Sequence, residues 1–145
     1  MEKLLKLLNK YVADIAVMNT KLHNLHWNVV GQNFVQAHLY LEKLYDDLFE
    51  KYDQVAERMK MLGGFPDANN KAYLDITSIK ELPNKNWSVK EALEITREDY
   101  KSLLTLVQEI RSVSDQENES VSVMMSDDHI AFYEKELWFM NSMLK

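Results

Sequence analysis

Apolar residues recur every three or four positions along most of the chain, which is the spacing of amphipathic helices. The first such stripe consists of Leu4, Leu8, Tyr11, Ile15, Met18, Leu22 and Leu25. It predicts a helix from Leu4 to Val29. Gly31 ends this helix, because glycine readily takes the left-handed conformation found after helix C-termini.

A second apolar stripe begins directly after this glycine turn. It consists of Phe34, Ala37, Leu41, Leu44, Leu48, Tyr52, Val55, Met59 and Leu62. Asn33 can cap the N-terminus of this helix, and Gly63 and Gly64 end it. Because only a short turn separates the two helices, each of roughly 25 to 30 residues, they are predicted to lie antiparallel.

The second half of the chain predicts two more long helices. The segment KAYLDITSIKEL, between the two prolines, is a candidate short helix within a loop-like connection. A third long helix is predicted to begin at Ser88, where Glu91 completes a capping box, and to run to about Val113. After the polar break DQENE, a fourth helix is predicted from about Ser120 to the end of the sequence. The prediction is therefore one all-α domain, residues 1–145, folded as a ferritin-like four-helix bundle with a short extra helix between the second and third helices.

Composition restricts the chemistry of this bundle. The chain has 145 residues, a formal net charge of −6 and no cysteine. Disulfides, thiolate metal sites and cysteine nucleophiles are therefore excluded, and any metal must be held by nitrogen and oxygen. The basic residues are scattered, and no apolar run has the length of a signal peptide or a membrane span. We therefore expect a soluble cytoplasmic protein with no membrane partner.

Three of the four histidines lie within sixteen residues, in HNLHWNVVGQNFVQAH. An ordinary di-iron centre inside a four-helix bundle uses Glu-x-x-His pairs on facing helices. No histidine of this chain has a glutamate three residues before it. We therefore do not expect a di-iron site built within one chain.

The second helix nevertheless carries a set of ligand-type side chains. At 100° per residue, His38, Glu42, Asp53 and Glu57 fall on one broad face. Asp53 follows His38 by fifteen residues, or roughly 22 Å along the helix axis, so one chain cannot bring both to one metal. His26 lies near the level of His38 across the glycine turn. Two copies of this helix packed antiparallel about a twofold axis would bring the histidines of one chain to the carboxylates of the other, which predicts two shared sites per dimer.

The residues from His23 to Pro66, HNLHWNVVGQNFVQAHLYLEKLYDDLFEKYDQVAERMKMLGGFP, resemble the signature of the Dps family (DNA-binding protein from starved cells), the mini-ferritins. The similarity includes the histidine–tryptophan pair, the glycine, the second histidine, the carboxylate pair and the terminal LGG-x-P. It continues through YLDITSIKEL and EKELWFM, and so covers nearly the whole chain.

The resemblance implies a ligand set and an activity. His26 and His38 of one subunit and Asp53 and Glu57 of its twofold partner would be the metal ligands, and Glu42 stands where the family commonly has a further acidic residue. The implied protein is a hollow homo-oligomer, a dodecamer, that oxidises Fe(II) with hydrogen peroxide or oxygen at a two-iron centre and stores Fe(III) inside. Iron would enter through acidic threefold pores. Here Met124 stands where an aspartate is common, and Glu119, Asp127 and Asp128 are the candidate replacements.

Each candidate ligand also has a structural interpretation. A single histidine on an apolar face is usually a hydrogen-bonded core residue. The acidic residues of the second helix can equally form a solvated face that pairs with Lys43 and Lys51. The solvated face is the stronger interpretation for Asp46, Asp47 and Glu50, and a role in binding iron on the inner surface is the alternative. We favour the ligand role for the histidine and carboxylate set because its spacings match.

Three further residues have less specific patterns. Trp27, next to His26, is a candidate catalytic residue that donates an electron when an odd number of irons meets peroxide, but packing or water exclusion is the interpretation that we favour. We interpret His23 as structural. His129 is expected to face solvent or an interface.

DNA is the partner for which the family is named, but we expect no direct DNA binding here. Family members generally use a lysine-rich tail, whereas the amphipathic pattern of this sequence begins by Leu4 and continues to Lys145. The negative net charge would also repel phosphate. Two rival functions stay open at this point: a nucleoid protein whose iron chemistry is secondary, and a structural helical bundle without metal.

Overall fold

A computed structural model describes all 145 residues. Five helices make up most of it: α1 (Glu2–Asn28), α2 (Phe34–Met61), α3 (Asn70–Ile76), α4 (Val89–Gln116) and α5 (Ser120–Met143). Two short strands, β1 (Val29–Val30) and β2 (Trp87–Ser88), complete the elements. The predicted all-α bundle with four long helices and one short helix in the central connection is confirmed.

Helices α1 and α2 form an antiparallel pair that packs through the two predicted apolar stripes. Leu8, Leu22, Leu44 and Leu48 are among their side chains with no exposed surface. The Asn19 Nδ2 atom donates to the Tyr45 carbonyl at 2.8 Å, which sets the two helices in register. Residues whose numbers add up to 64 therefore lie at the same level along the pair.

The turn between α1 and α2 differs in detail from the prediction. Helix α1 ends at Asn28, and Val29–Val30 pairs in parallel with Trp87–Ser88, a contact that the sequence pattern did not indicate. Gly31 has a φ of +104°, as a left-handed turn requires. Asn33 is the N-cap of α2, but it is itself left-handed and its side chain does not cap the helix.

A long connection crosses from α2 to α4 and is fixed to the side of α1. The predicted short helix is present as α3, although it begins at Asn70 and ends at Ile76, before the SIKEL part of the predicted segment. Beyond α3, the buried Asp14 carboxylate accepts hydrogen bonds from the Thr77 Oγ1 atom at 2.7 Å and the Ser78 amide at 2.8 Å. These bonds satisfy a carboxylate that would be costly to bury alone.

Helices α4 and α5 form the second antiparallel pair. The predicted capping box at Ser88 and Glu91 is confirmed, since each side chain bonds the other residue's amide. Helix α4 runs three residues beyond the predicted Val113, and the break before α5 is correspondingly short. The four long helices enclose one cluster of 31 buried apolar residues. None of the helices combines the length and the apolar character needed to span a membrane.

Candidate metal centre

His26 and His38 lie side by side at the end of the α1–α2 pair. Their rings stack with centroids 3.7 Å apart and planes 13° apart. The Nδ1 atom of His26 donates to the His38 carbonyl at 2.7 Å, and the Nδ1 atom of His38 donates to the His26 carbonyl at 2.8 Å. Because a carbonyl only accepts, both Nδ1 atoms must carry hydrogen, so Nε2 is the nitrogen of each ring that can offer a lone pair to a metal ion.

Aromatic neighbours hold this histidine pair in place. The ring of Phe34 stacks on His38 at 5.2 Å, and the ring of Tyr45 meets His26 edge-on at the same centroid distance. Tyr45 also stacks on His23 at 3.8 Å. The Nδ1 atom of His23 bonds the Asn19 carbonyl one turn earlier in α1, as expected of a structural histidine. The Nδ1–H bonds that His26 and His38 donate to backbone carbonyls are of the kind that metal-binding histidines usually make with their second ring nitrogen.

Asp53 and Glu57 lie one turn apart near the other end of α2, and both are exposed. Neither carboxylate takes part in any ion pair of the chain. Asp53 is fifteen residues from His38, or roughly 22 Å along a helix axis. No group of three or more histidine, aspartate or glutamate side chains that could hold a metal ion occurs within the chain. One copy therefore presents half of the predicted ligand set at each end of α2.

Glu42 and Trp27 flank the histidine pair. Glu42 is half-buried one turn after His38, and its Oε1 atom accepts a long hydrogen bond, 3.4 Å, from the Tyr45 hydroxyl. The indole of Trp27 is 69% exposed and meets the His23 ring edge-on at 5.5 Å. In the single chain this indole therefore lies at the surface beside the histidine pair.

Comparison with known proteins gives the chain's relationships. A family model described as a ferritin-like domain matches residues 5–145. The DNA protection during starvation protein 2 of Bacillus anthracis is 36% identical, with 99% of this chain and 97% of that protein aligned. The crystal structure of a Dps protein from Bacillus brevis superposes with a TM-score of 0.95 at 34% identity, covering 99% of this chain and 96% of that one. The chain belongs to the Dps family.

A second solved structure widens this relationship. The Dps protein of Vibrio cholerae has a TM-score of 0.95 at 27% identity and covers 99% of this chain and 90% of its own. It is described as a member of a broad superfamily of ferritin-like diiron-carboxylate proteins. The Dps family is thus part of a superfamily whose members bind two iron ions through carboxylates.

Among the acidic residues suggested for a Dps-type pore, two are already paired. Glu119 accepts from the Arg58 guanidinium at 2.7 Å, and Asp127 accepts from Arg111 at 3.0 Å. Asp128 is exposed and is absent from the chain's ion pairs, and Met124 is 60% exposed. Asp128 is thus the one candidate of the three whose carboxylate forms no ion pair within the chain.

His129 departs most clearly from its predicted position in this Dps-family chain. The prediction that it faces solvent or an interface is wrong, since the side chain is 2% exposed and bonds Tyr11 and Gln54. Burial, with a smaller effect of the Lys51 charge, lowers the pKa of His129 to about 3, so the ring is neutral near pH 7. The periodic spacing of Ser126, His129 and Tyr133 could have indicated this burial, but the polar members obscured the stripe.

Proposed function

We propose that this protein is a Dps-type ferroxidase. It binds two Fe(II) ions at a centre shared by two subunits, oxidises them with hydrogen peroxide or oxygen, and stores Fe(III) mineral within a hollow dodecamer. The ligands are His26, His38 and Glu42 of one subunit with Asp53 and Glu57 of its twofold partner. Trp27 shields the centre from water. The proposed compartment is the cytoplasm, since a chain without cysteine does not depend on the oxidising environment in which disulfides form.

The observation that carries this proposal is the reciprocal hydrogen bonding of His26 and His38. Because both Nδ1 atoms are used in these bonds, the Nε2 atom of each ring is left to bind a metal ion. Imidazole nitrogen together with carboxylate oxygen suits Fe(II), and hard carboxylate oxygens favour the Fe(III) that oxidation produces. The unpaired carboxylates of Asp53 and Glu57 supply the oxygens without first breaking an ion pair.

A centre shared by two subunits is proposed because of the distance between the two groups of ligands along α2. Its histidine end and its carboxylate end are too far apart to serve one site, but an antiparallel copy brings unlike ends together twice. A twofold contact of this kind is self-complementary and is the commonest form of oligomer interface. Six such dimers would make the dodecamer that the family resemblance implies.

The chemistry of a two-iron centre also explains a protective role. Two Fe(II) ions each give one electron to a single peroxide, which with two protons becomes two molecules of water. No hydroxyl radical is released in this step, whereas a lone Fe(II) would convert the same peroxide into hydroxide and a hydroxyl radical. Removing Fe(II) and peroxide together therefore protects the cell from oxidative stress.

The test is to load the purified protein anaerobically with Fe(II), add peroxide, and follow Fe(III) absorbance and particle size. Rapid oxidation and an iron core of cage dimensions are expected. Asp53→Asn should abolish rapid oxidation, while Glu98→Gln, which alters an exposed carboxylate of α4, should not. Absence of iron uptake by the wild type, with intact helices, would leave the metal-free structural bundle as the better description.

The names of relatives favour one second candidate, a nucleoid protein that protects DNA directly. The Bacillus anthracis relative is named for DNA protection during starvation. The net charge of −6 per chain opposes binding to phosphate at physiological salt. A gel-shift titration at low and physiological salt separates the candidates, because protection through iron removal alone predicts no shifted DNA at either.

A further inference from the structure

A row of hydrogen-bonded side chains runs through the core between α1 and α5. The Tyr133 and Tyr11 hydroxyls are 2.7 Å apart, and the Tyr11 hydroxyl is 3.0 Å from the His129 Nδ1 atom. The His129 Nε2 atom is 2.8 Å from the Gln54 Oε1 atom. Both tyrosines have no exposed surface, whereas Gln54 lies at the surface of α2. The row thus leads from the middle of the bundle to its outside.

The hydrogens in this row have one consistent direction. The Gln54 amide oxygen only accepts, so His129 donates to it from Nε2. A neutral ring then has its lone pair on Nδ1, which must accept from the Tyr11 hydroxyl. The Tyr11 oxygen in turn accepts from Tyr133. Tyr11 is therefore a buried phenol whose hydrogen already points at a nitrogen base.

His129 is neutral near pH 7 and can therefore act as a proton acceptor. Burial lowers the pKa of His129 to about 3, so its Nδ1 atom carries no proton near pH 7 and can take one from the Tyr11 hydroxyl that it already bonds. A phenol that loses an electron becomes a radical cation, which is a far stronger acid than imidazolium. The phenolic proton therefore moves to His129 on oxidation. It returns on reduction, because a buried imidazolium is itself unfavourable.

The row ends beside the carboxylate half of the proposed metal centre. Tyr11 and Asp53 lie at the same level of the α1–α2 pair. Tyr11 precedes His26 by fifteen residues in α1, Asp53 follows His38 by fifteen residues in α2, and the two histidines are side by side. Gln54, which bonds His129, directly follows Asp53 in α2. An oxidant formed at the shared centre would arise at this level of the bundle.

We propose that Tyr11 is a one-electron donor that removes hydroxyl radical formed when a single Fe(II) meets peroxide, with His129 as the acceptor of its proton. This inference rests on the proposed function. Tyr11 gives one electron to the hydroxyl radical, which becomes hydroxide, while its phenolic proton passes to the His129 Nδ1 atom. A further Fe(II) then reduces the tyrosyl radical, and the proton returns. The sum is one Fe(II) and one hydroxyl radical converted to Fe(III) and hydroxide.

Tyr100 provides a matched comparison within the same core. Its side chain is equally buried and its ring meets that of Tyr133 edge-on at 5.3 Å. Its hydroxyl, however, has no hydrogen-bond partner. Oxidation of Tyr100 would leave a radical cation without a base, so Tyr11 is the favoured donor and Tyr100→Phe is the control for Tyr11→Phe.

The experiment has two arms, both read by electron paramagnetic resonance of freeze-quenched samples. In the first, substoichiometric Fe(II) and peroxide are added to the wild-type assembly. In the second, iron-free assembly is oxidised by a flash-generated ruthenium(III) polypyridyl complex. A tyrosyl radical signal is expected in both arms for the wild type and for Tyr100→Phe. It should be lost in Tyr11→Phe and strongly reduced in His129→Gln, whose amide keeps a hydrogen-bond acceptor but is not a base.

The outcomes separate this inference from the proposed function. A signal that persists in Tyr11→Phe, or that disappears equally in Tyr100→Phe, would overturn the assignment. If the wild type does not oxidise iron, the proposed function fails, and the photochemical arm alone decides whether Tyr11 is the donor. Spin trapping adds a readout that a purely structural role would not change: Tyr11→Phe should release more hydroxyl radical than Tyr100→Phe while both retain helix content and particle size.

Discussion

His26 and His38 hold each other by the same contact in both directions, since each ring donates from Nδ1 to the other residue's backbone carbonyl, at 2.7 and 2.8 Å. Each acceptor belongs to the main chain and so survives replacement of the side chain beside it. Loss of one ring therefore leaves the other oriented. The two histidines can be tested singly.

His38→Ala should slow rapid Fe(II) oxidation by about tenfold or more, because one Nε2 ligand is lost. It should lower the free energy of unfolding by only about 1 kcal/mol, the usual value of one hydrogen bond. Stopped-flow absorbance and urea denaturation measure the two effects. An unchanged oxidation rate would remove His38 from the centre.

Mixing two inactive variants tests whether the centre is shared. Assemblies reconstituted from equal amounts of His26→Ala and Asp53→Ala chains should regain oxidation, because a mixed dimer has one centre with both defects and one with neither. Random pairing leaves about one quarter of the centres intact. Each variant reconstituted alone is the control. A mixture as inactive as its parents would show that both residues serve a centre within one chain.

The buried His129 predicts a loss of stability in acid. Its folded pKa of about 3 lies below the unfolded value near 6.5, so the unfolded chain binds more protons between these limits and stability falls as pH falls. The stabilising contribution is fully present above pH 6.5 and is lost progressively down to about pH 3.

From pH 7 to pH 5, this linkage should reduce the free energy of unfolding by about 2 kcal/mol. Because glutamine does not titrate, the free energy of unfolding of His129→Gln should fall by about 2 kcal/mol less than that of the wild type over the same interval. Urea denaturation at both pH values and one subunit concentration measures it, because assembly also contributes to apparent stability. Equal losses in the two proteins would contradict the prediction.

Tyr40 and Tyr100 should respond oppositely to loss of the hydroxyl. The Tyr40 hydroxyl donates to the Glu136 carboxylate at 2.6 Å, and this carboxylate is 1% exposed. Tyr40→Phe removes one partner of a buried charge and should cost about 1.5–3 kcal/mol. Tyr100→Phe removes a buried hydroxyl without a partner and should be neutral or stabilising. Thermal unfolding of the two variants checks both signs, and a larger loss in Tyr100→Phe would contradict the argument.

The helices could be predicted because their signals are local. The apolar stripes of α1 and α2 and the capping box at Ser88 each depend on residues one or two turns apart. The positions of His26 and His38 side by side also follow from sequence, since the two residues are separated from the Gly31 turn by nearly equal numbers of residues. The shared ligand set stays a prediction, because a single chain cannot display a centre that needs two.

Other features depend on contacts between distant segments. The two-residue strand at Val29 is too short for any periodicity, and its partner is far along the chain. The burial of His129 does not follow from sequence, because the buried face of α5 is partly polar and the hydrogen-bond partners of His129 come from α1 and α2. Asn33 marks the start of α2 correctly, but its left-handed backbone turns its side chain away from the cap.

The pairing of Val29 with Trp87 also bears on the order in which the molecule is made. Trp87 follows Val29 by 58 residues, so the strand that supports the histidine turn is translated only after α1, α2 and α3. Contacts of such long sequence separation form late, because a large loop must close first. During synthesis, the turn that carries His26 and His38 therefore lacks its supporting strand until Trp87 and Ser88 have left the ribosome.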